Sequence, residues 1–213
     1  KYHKDNPDEA NSAMDIGTVA HKILLEGNRD GIVIVDADDW RTKAAKEARD
    51  TAHAAGLVPI LSAKMPLILN MVDAAKAFVA SSEIAGIFDN GKPEVTLTWE
   101  DDGVLCKARP DFLPNDGSLI LHVKTTQGSA EPESWIRNQL FGSGHDVAAA
   151  FYERALLAPG LPDRQSVFLV IEQDAPYGCS LIGLDPMTRE NGERKANRAI
   201  AIWRDCLKSG KWP

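Results

Sequence analysis

The spacing of apolar positions runs helical, then alternating, then helical again, and these changes divide the chain into elements. MDIGTVAHKILLEG (residues 14–27) has apolar residues at helical spacing and a glycine stop, which predicts a buried helix with His21 on or beside its apolar face. GIVIVD (31–36) predicts a short strand. DADDWRTKAAKEARDTAHAAG (36–56) predicts an alanine-rich, charged helix with an acidic start, ending at Gly56. Ser62 is placed to cap a further helix reaching about Val79, with Ile68, Met71, Val72 and Ala75 on its apolar face.

The period then becomes two. PEVTLTWED (93–101) alternates as a half-buried strand, Asp-Asp-Gly at 101–103 forms a hairpin turn, and VLCKARPDF (104–112) returns. Asn-Asp-Gly at 115–117 makes a second turn before SLILHVKTT (118–126), so the order is a β-meander. Residues 130–160 read as two helices broken at 142–144. SVFLVIEQ and YGCSLIGLD follow as strands, and an amphipathic helix runs from Pro186 to about Ser209. The expected class is mixed α/β, a central mixed sheet with a meander flanked by helices. Neither an internal repeat nor a low-complexity linker divides the chain, so residues 1–213 are read as one domain.

Composition narrows the classes. The apolar fraction of 44% and charged fraction of 26% are those of an ordinary globular protein, not a disordered one. No apolar run approaches the ~20 residues that span a bilayer, and the polar start lacks a secretory signal's apolar segment. Cys106, Cys179 and Cys206 are scattered and odd in number, which predicts reduced thiols and a cytoplasmic location. A net charge of −7 lowers the prospect of a purely electrostatic nucleic-acid binder. It weighs less against a metal-dependent enzyme, whose site must itself be acidic.

The candidate chemistry lies in ARPDFLPNDGSLILHVKTT (108–126). Asp111 and Lys124 fall on adjacent antiparallel strands with their charged ends converging. Alone, Asp111 reads as a solvated turn residue and Lys124 as a lysine snorkelling from a strand exit. Together they suggest a carboxylate that holds a divalent cation and a lysine that stabilises charge on a phosphate. His21, in a helix of small and apolar residues, reads more often as a satisfied core histidine than as a ligand.

These residues, their order and their spacing resemble the RecE-like (exodeoxyribonuclease VIII type) phage exonucleases with a PD-(D/E)xK fold. Further landmarks carry the resemblance: GTVAHKILLEG, DADDWRTKAAKEAR, EVTLTWED, CKARPDFL, GHDVAAAFYERAL and WRDCLKSGKWP. It implies a restriction-endonuclease-like core and a Mg²⁺ or Mn²⁺ site. It also implies digestion of linear double-stranded DNA from its ends in recombination, a homo-oligomeric ring, a single-strand annealing partner and an additional N-terminal segment. Carried over by position, His21 and Asp111 are metal ligands, the Val123 backbone carbonyl adds an oxygen, and Lys124 is catalytic. Tyr152 matches the tyrosine of a Gln-x-x-x-Tyr helix motif, and Glu94 is an additional acidic candidate. Trp40 and Trp135, on charged helices, are the apolar residues expected to serve assembly.

Two positions depart from the pattern. His122 stands where the second carboxylate belongs, and Ala148 where the helix glutamine belongs. Imidazole at the metal disfavours Mg²⁺, which prefers hard oxygen ligands, and favours Mn²⁺. The sequence thus predicts a weakened metal-dependent deoxyribonuclease. Two alternatives are an inactive nuclease-fold protein that binds DNA ends or a recombination partner, and a structural Zn²⁺ protein using His21, Asp111 and His122.

Overall fold

The structure, a computed structural model, describes residues 12–157 and 163–212. Helix α1 (Ser12–Glu26) is followed by strand β1 (Ile32–Val35), helix α2 (Lys43–Ala54), strand β2 (Val58–Leu61) and helix α3 (Met65–Ala80). β1 and β2 pair in parallel, Ile32 beside Val58 and Val35 beside Leu61, with α2 as the crossover that parallel strands require. The acidic stretch 36–39 precedes α2 instead of starting it. Thr42 caps the helix, its Oγ1 accepting the Ala45 N–H at 3.1 Å, while Asp39 Oδ1 accepts the Arg41 N–H in a local turn. Ser62 does not cap α3. Its hydroxyl donates to Asp36 Oδ1, and Pro66 stands in the first turn of the helix. The apolar face of α3 is buried as its spacing predicts.

The expected meander is interrupted. Residues 93–101 divide into β3 (Gly91–Pro93) and β4 (Leu97–Asp101), because Glu94 at φ 53° turns the chain out of the strand. The return divides at Arg109–Pro110 into β5 (Val104–Ala108) and β6 (Phe112–Pro114). β4 and β5 form a hairpin of their own, with Asp102 and Gly103 both at positive φ in its turn. The main sheet has the order β3-β6-β7-β8-β9, with β7 (Leu119–Thr126), β8 (Gln165–Glu172) and β9 (Cys179–Gly183). β7 and β8 are parallel and the other pairs antiparallel, so the sheet is mixed.

Helices flank it. α4 (Pro132–Trp135) continues into one wide turn (Ile136–Leu140), α5 (His145–Leu157) follows the predicted glycine break, and α6 (Pro186–Ser209) closes the fold. Asp185 caps α6 by accepting the Met187 and Thr188 N–H groups. Gly192 lets α6 approach α5 closely, since a Cβ there would stand 2.3 Å from the Asp146 carbonyl oxygen.

Side chains of β7 alternate between two cores. Leu119, Leu121 and Val123 pack with Val19 of α1 and with Ile68, Met71 and Val72 of α3. Ile120 meets Leu156 of α5, and on β8 Phe168 and Val170 meet Trp135 and Ala149. Burying a side chain such as Leu121 or Leu169 contributes about 2 kcal/mol. A one-residue slip would reverse the strand and drive His122 and Lys124 into the α1–α3 core, so this packing sets the register. Trp135 is buried, and Trp40 is half-buried with the Arg49 guanidinium 5.9 Å from its ring. The exposed tryptophans are Trp203 and Trp212, in edge contact near the end of α6.

Candidate functional site

The site forms where β6 and β7 part. Their ladder holds one registered pair, Phe112 opposite Leu121. Beyond it the Val123 N–H, with no registered β6 residue opposite, donates to Asp111 Oδ2 at 2.8 Å. The same oxygen receives Lys124 Nζ at 3.2 Å. His21 reaches in from α1, with Nε2 3.6 Å from Asp111 Oδ2 and 3.6 Å from Glu94 Oε1. Glu94 is aimed by its backbone: its N–H donates to the Asp111 carbonyl oxygen, extending the β3–β6 ladder by one bond before its positive φ ends the strand. Arg109 Nε holds Glu94 Oε2 at 2.9 Å.

One ligand atom from each of His21, Glu94 and Asp111 lies within 4.8 Å of the others, at half-buried positions. Burial alone would raise the Asp111 pKa. The hydrogen bond with His21 and the positive charge of Lys124 outweigh it and hold the carboxyl well below the usual range, ionised at neutral pH. Two carboxylates and an imidazole fit a divalent cation that takes oxygen ligands and tolerates one nitrogen.

His122 was expected in the ligand set, and the geometry places it outside. It shares the face of β7 that carries Lys124, but the ring is 1% exposed and Nε2 meets Ser166 Oγ at 3.2 Å. Its faces stack on Tyr152 and Phe168, with centroids 5.2 and 4.9 Å away. Burial pushes its pKa down to about 4, against the attraction of Asp111, so the ring is neutral. The imidazole that the structure brings to the carboxylates is that of His21, not that of His122. The Val123 group brought to Asp111 is the N–H, whereas the expectation concerned its carbonyl.

The family model for a PDDEXK-like domain of unknown function, DUF3799, matches residues 1–213. The chain belongs to this family. A crystal structure from Eubacterium rectale, of a protein named "Putative exonuclease", superposes on this DUF3799 chain with a TM-score of 0.63 and 14% identity, over 99% of this chain and 74% of that one. The crystal structure of SSO0001 has a TM-score of 0.35 and 17% identity, over 91% and 94%, a likeness too slight to carry argument. Comparison with curated proteins gives no match. The family and the first of these structures agree with the PD-(D/E)xK-type core that the mixed sheet and its helices display.

In this DUF3799 chain Tyr152 lies beside the cluster. Burial and then the Asp111 and Glu94 carboxylates raise its pKa, with Arg109 opposing. Ala148 stands one turn earlier on α5, on the face that carries Tyr152. Sequence reasoning missed His145, three residues before Ala148 and so also on that face. It stacks on Trp135 with the rings 7° from parallel, and burial lowers its pKa to about 4. Its spacing from Ala148 and Tyr152 was the available signal. His21 and Lys124 also border an 830 Å³ cleft, with Thr125, Gln127, Gln139 and His145 among its walls. No motif marked Gln127 or Gln139, which the fold brings together from separate segments.

Proposed function

We propose that this chain hydrolyses DNA phosphodiester bonds with a divalent cation, Mg²⁺ or Mn²⁺, held by His21, Glu94 and Asp111. The observation that carries this reading is the convergence of those three ligand atoms within 4.8 Å, with Lys124 on the Asp111 carboxylate. When bound, the cation supplies Lewis acidity to the phosphate and the attacking water. Asp111 stays ionised through its hydrogen bonds and so remains an anionic ligand at neutral pH. Lys124 is placed to stabilise charge building on the scissile phosphate. Arg109 keeps Glu94 pointed at the cluster, and Tyr152 stands near enough to feel the Asp111 and Glu94 carboxylates.

The resemblance to RecE-like enzymes supports a finer reading: exonuclease action on linear duplex ends in recombination, by a homo-oligomeric ring working with a single-strand annealing protein in the cytoplasm. His122 and Ala148 favour a second reading, a protein that binds DNA ends without cutting them.

Linear duplex DNA incubated with Mg²⁺ and with Mn²⁺ separates the two. Cleavage that disappears in Asp111→Asn and Lys124→Met supports the first. End binding without cleavage in either cation supports the second.

A further inference from the structure

We propose that the cleft beside the cluster holds one unpaired DNA strand, and that neutral hydrogen-bond donors, not a cationic track, grip it. The proposal deepens the nuclease reading and rests on it for the strand's direction, with a phosphate delivered to Asp111 and Lys124. The cleft is 830 Å³, large for a single small ion and in the range of sites that enclose an organic ligand. It runs from His21 and Lys124 along Thr125 and Gln127 at the end of β7, and is walled opposite by Gln139 and Ser143.

Among the described residues lining it, Lys124 is the one lysine or arginine, and there is no aspartate or glutamate. His145 does not add a charge, because burial keeps its imidazole neutral. The remaining polar groups are amides and hydroxyls, with Gln127 and Gln139 exposed at the rim. Duplex DNA carries about one charge per 1.7 Å of axis and requires several cations to offset it. A single strand has a lower charge density, so fewer cations are needed to hold it. A surface whose net charge is −7 supplies no long-range attraction to make up the difference.

The consequence is an unusual salt response. Counterion release gives a slope of log affinity against log salt near −0.7 for each cation contact on single strands, so one lysine predicts a slope of about −0.7. The probe is a fluorescein-labelled single-stranded oligodeoxynucleotide, with anisotropy read in Ca²⁺ buffer over a NaCl series. The expected result is that shallow slope, with a blunt duplex of the same sequence binding more weakly. The double variant Gln127→Ala/Gln139→Ala should bind the strand about threefold to tenfold more weakly, with its slope and melting temperature unchanged. A slope of about −4 or steeper, a duplex bound as tightly as the strand, or a double variant with unaltered affinity would overturn the proposal. Cleavage of the same oligonucleotide in Mn²⁺ is scored separately. Cutting that accompanies a steep slope removes the neutral grip alone, whereas shallow-slope binding without cutting in any cation removes the nuclease reading alone.

Discussion

Asp111 Oδ2 accepts the Val123 backbone N–H at 2.8 Å, at the point where β6 leaves β7. One carboxylate thus closes a strand ladder and supplies the central anion of the cluster. The two roles separate by substitution. Asp111→Asn keeps an oxygen for the N–H and loses the charge; Asp111→Ala loses both. Calorimetric titration with Mn²⁺ should show binding strongly weakened in both variants. Denaturant unfolding without metal should show Asp111→Ala less stable by about 1–3 kcal/mol, the cost of a buried donor left unpaired. The Asn variant should lose clearly less. Equal losses in the two would mean that the N–H contact contributes nothing.

Glu94 pairs a strained backbone with a functional side chain. A non-glycine residue at φ 53° costs about 1–2 kcal/mol. The expected outcome for Glu94→Gly is therefore a gain in melting temperature together with a fall of about tenfold or more in Mn²⁺ affinity. Glu94→Gln should show the same affinity loss without the stability gain. Arg109→Ala should weaken Mn²⁺ binding less than either, since it orients Glu94 and is not itself a ligand. Unchanged affinity in Glu94→Gln would exclude Glu94 from the ligand set.

What the sequence revealed follows the range of the forces involved. Helices α1, α3 and α6 and strands β7 to β9 were legible because their apolar spacing coincides with the face they bury. The break at Glu94 was not. Alternation continues through it, and nothing in the local pattern marks the positive φ at Glu94 or its backbone bond to Asp111. Asp111 and Lys124 were legible as a pair because charged ends on adjacent strands converge, whereas His21, on α1, was joined to them by the resemblance. The surroundings of His122 were hidden. Ser166, Tyr152 and Phe168 come from β8 and α5, and only the fold brings them onto one ring. Trp135 likewise read as a surface residue of a charged helix until its partners His145 and Phe168 were in place.

The neutral buried His122 makes stability depend on pH. Its folded pKa, about 4, lies below the ordinary value of 6.5, so the unfolded chain binds more protons between those values. Stability contributed by this group is complete above pH 6.5 and declines as pH falls toward 4, by up to about 3 kcal/mol. Asp111 adds a loss at lower pH, because its folded pKa is depressed: its stabilisation is complete above the unfolded carboxyl value and is lost as pH falls from there through the folded one. In metal-free buffer, denaturant midpoints should therefore fall between pH 7 and pH 4.5, and the fall should be shallower in His122→Phe. Identical pH profiles would show that the ring titrates normally.

His122 and Ala148 carry the last prediction. His122 lies on the Lys124 face of β7, but its Nε2 is turned to Ser166 and it contributes no anion to the cluster. His122→Asp places a carboxylate two residues before the lysine, the spacing of the PD-(D/E)xK pattern. It should lower stability, because the stacking on Tyr152 and Phe168 is lost and a charge enters a buried position. It should raise cation occupancy at the same time. Ala148→Gln adds a polar group one turn before Tyr152, where it can position water or DNA but cannot replace a cation. Turnover of linear DNA in Mg²⁺ is expected to be at least ~100-fold lower in the unmodified chain than in the double variant, a difference of about 2.7 kcal/mol in the barrier. Ala148→Gln alone should recover little of it. Equal rates in the unmodified and doubly substituted chains would mean that His21, Glu94 and Asp111 already form a sufficient set, and that the buried imidazole is a structural replacement without a catalytic cost.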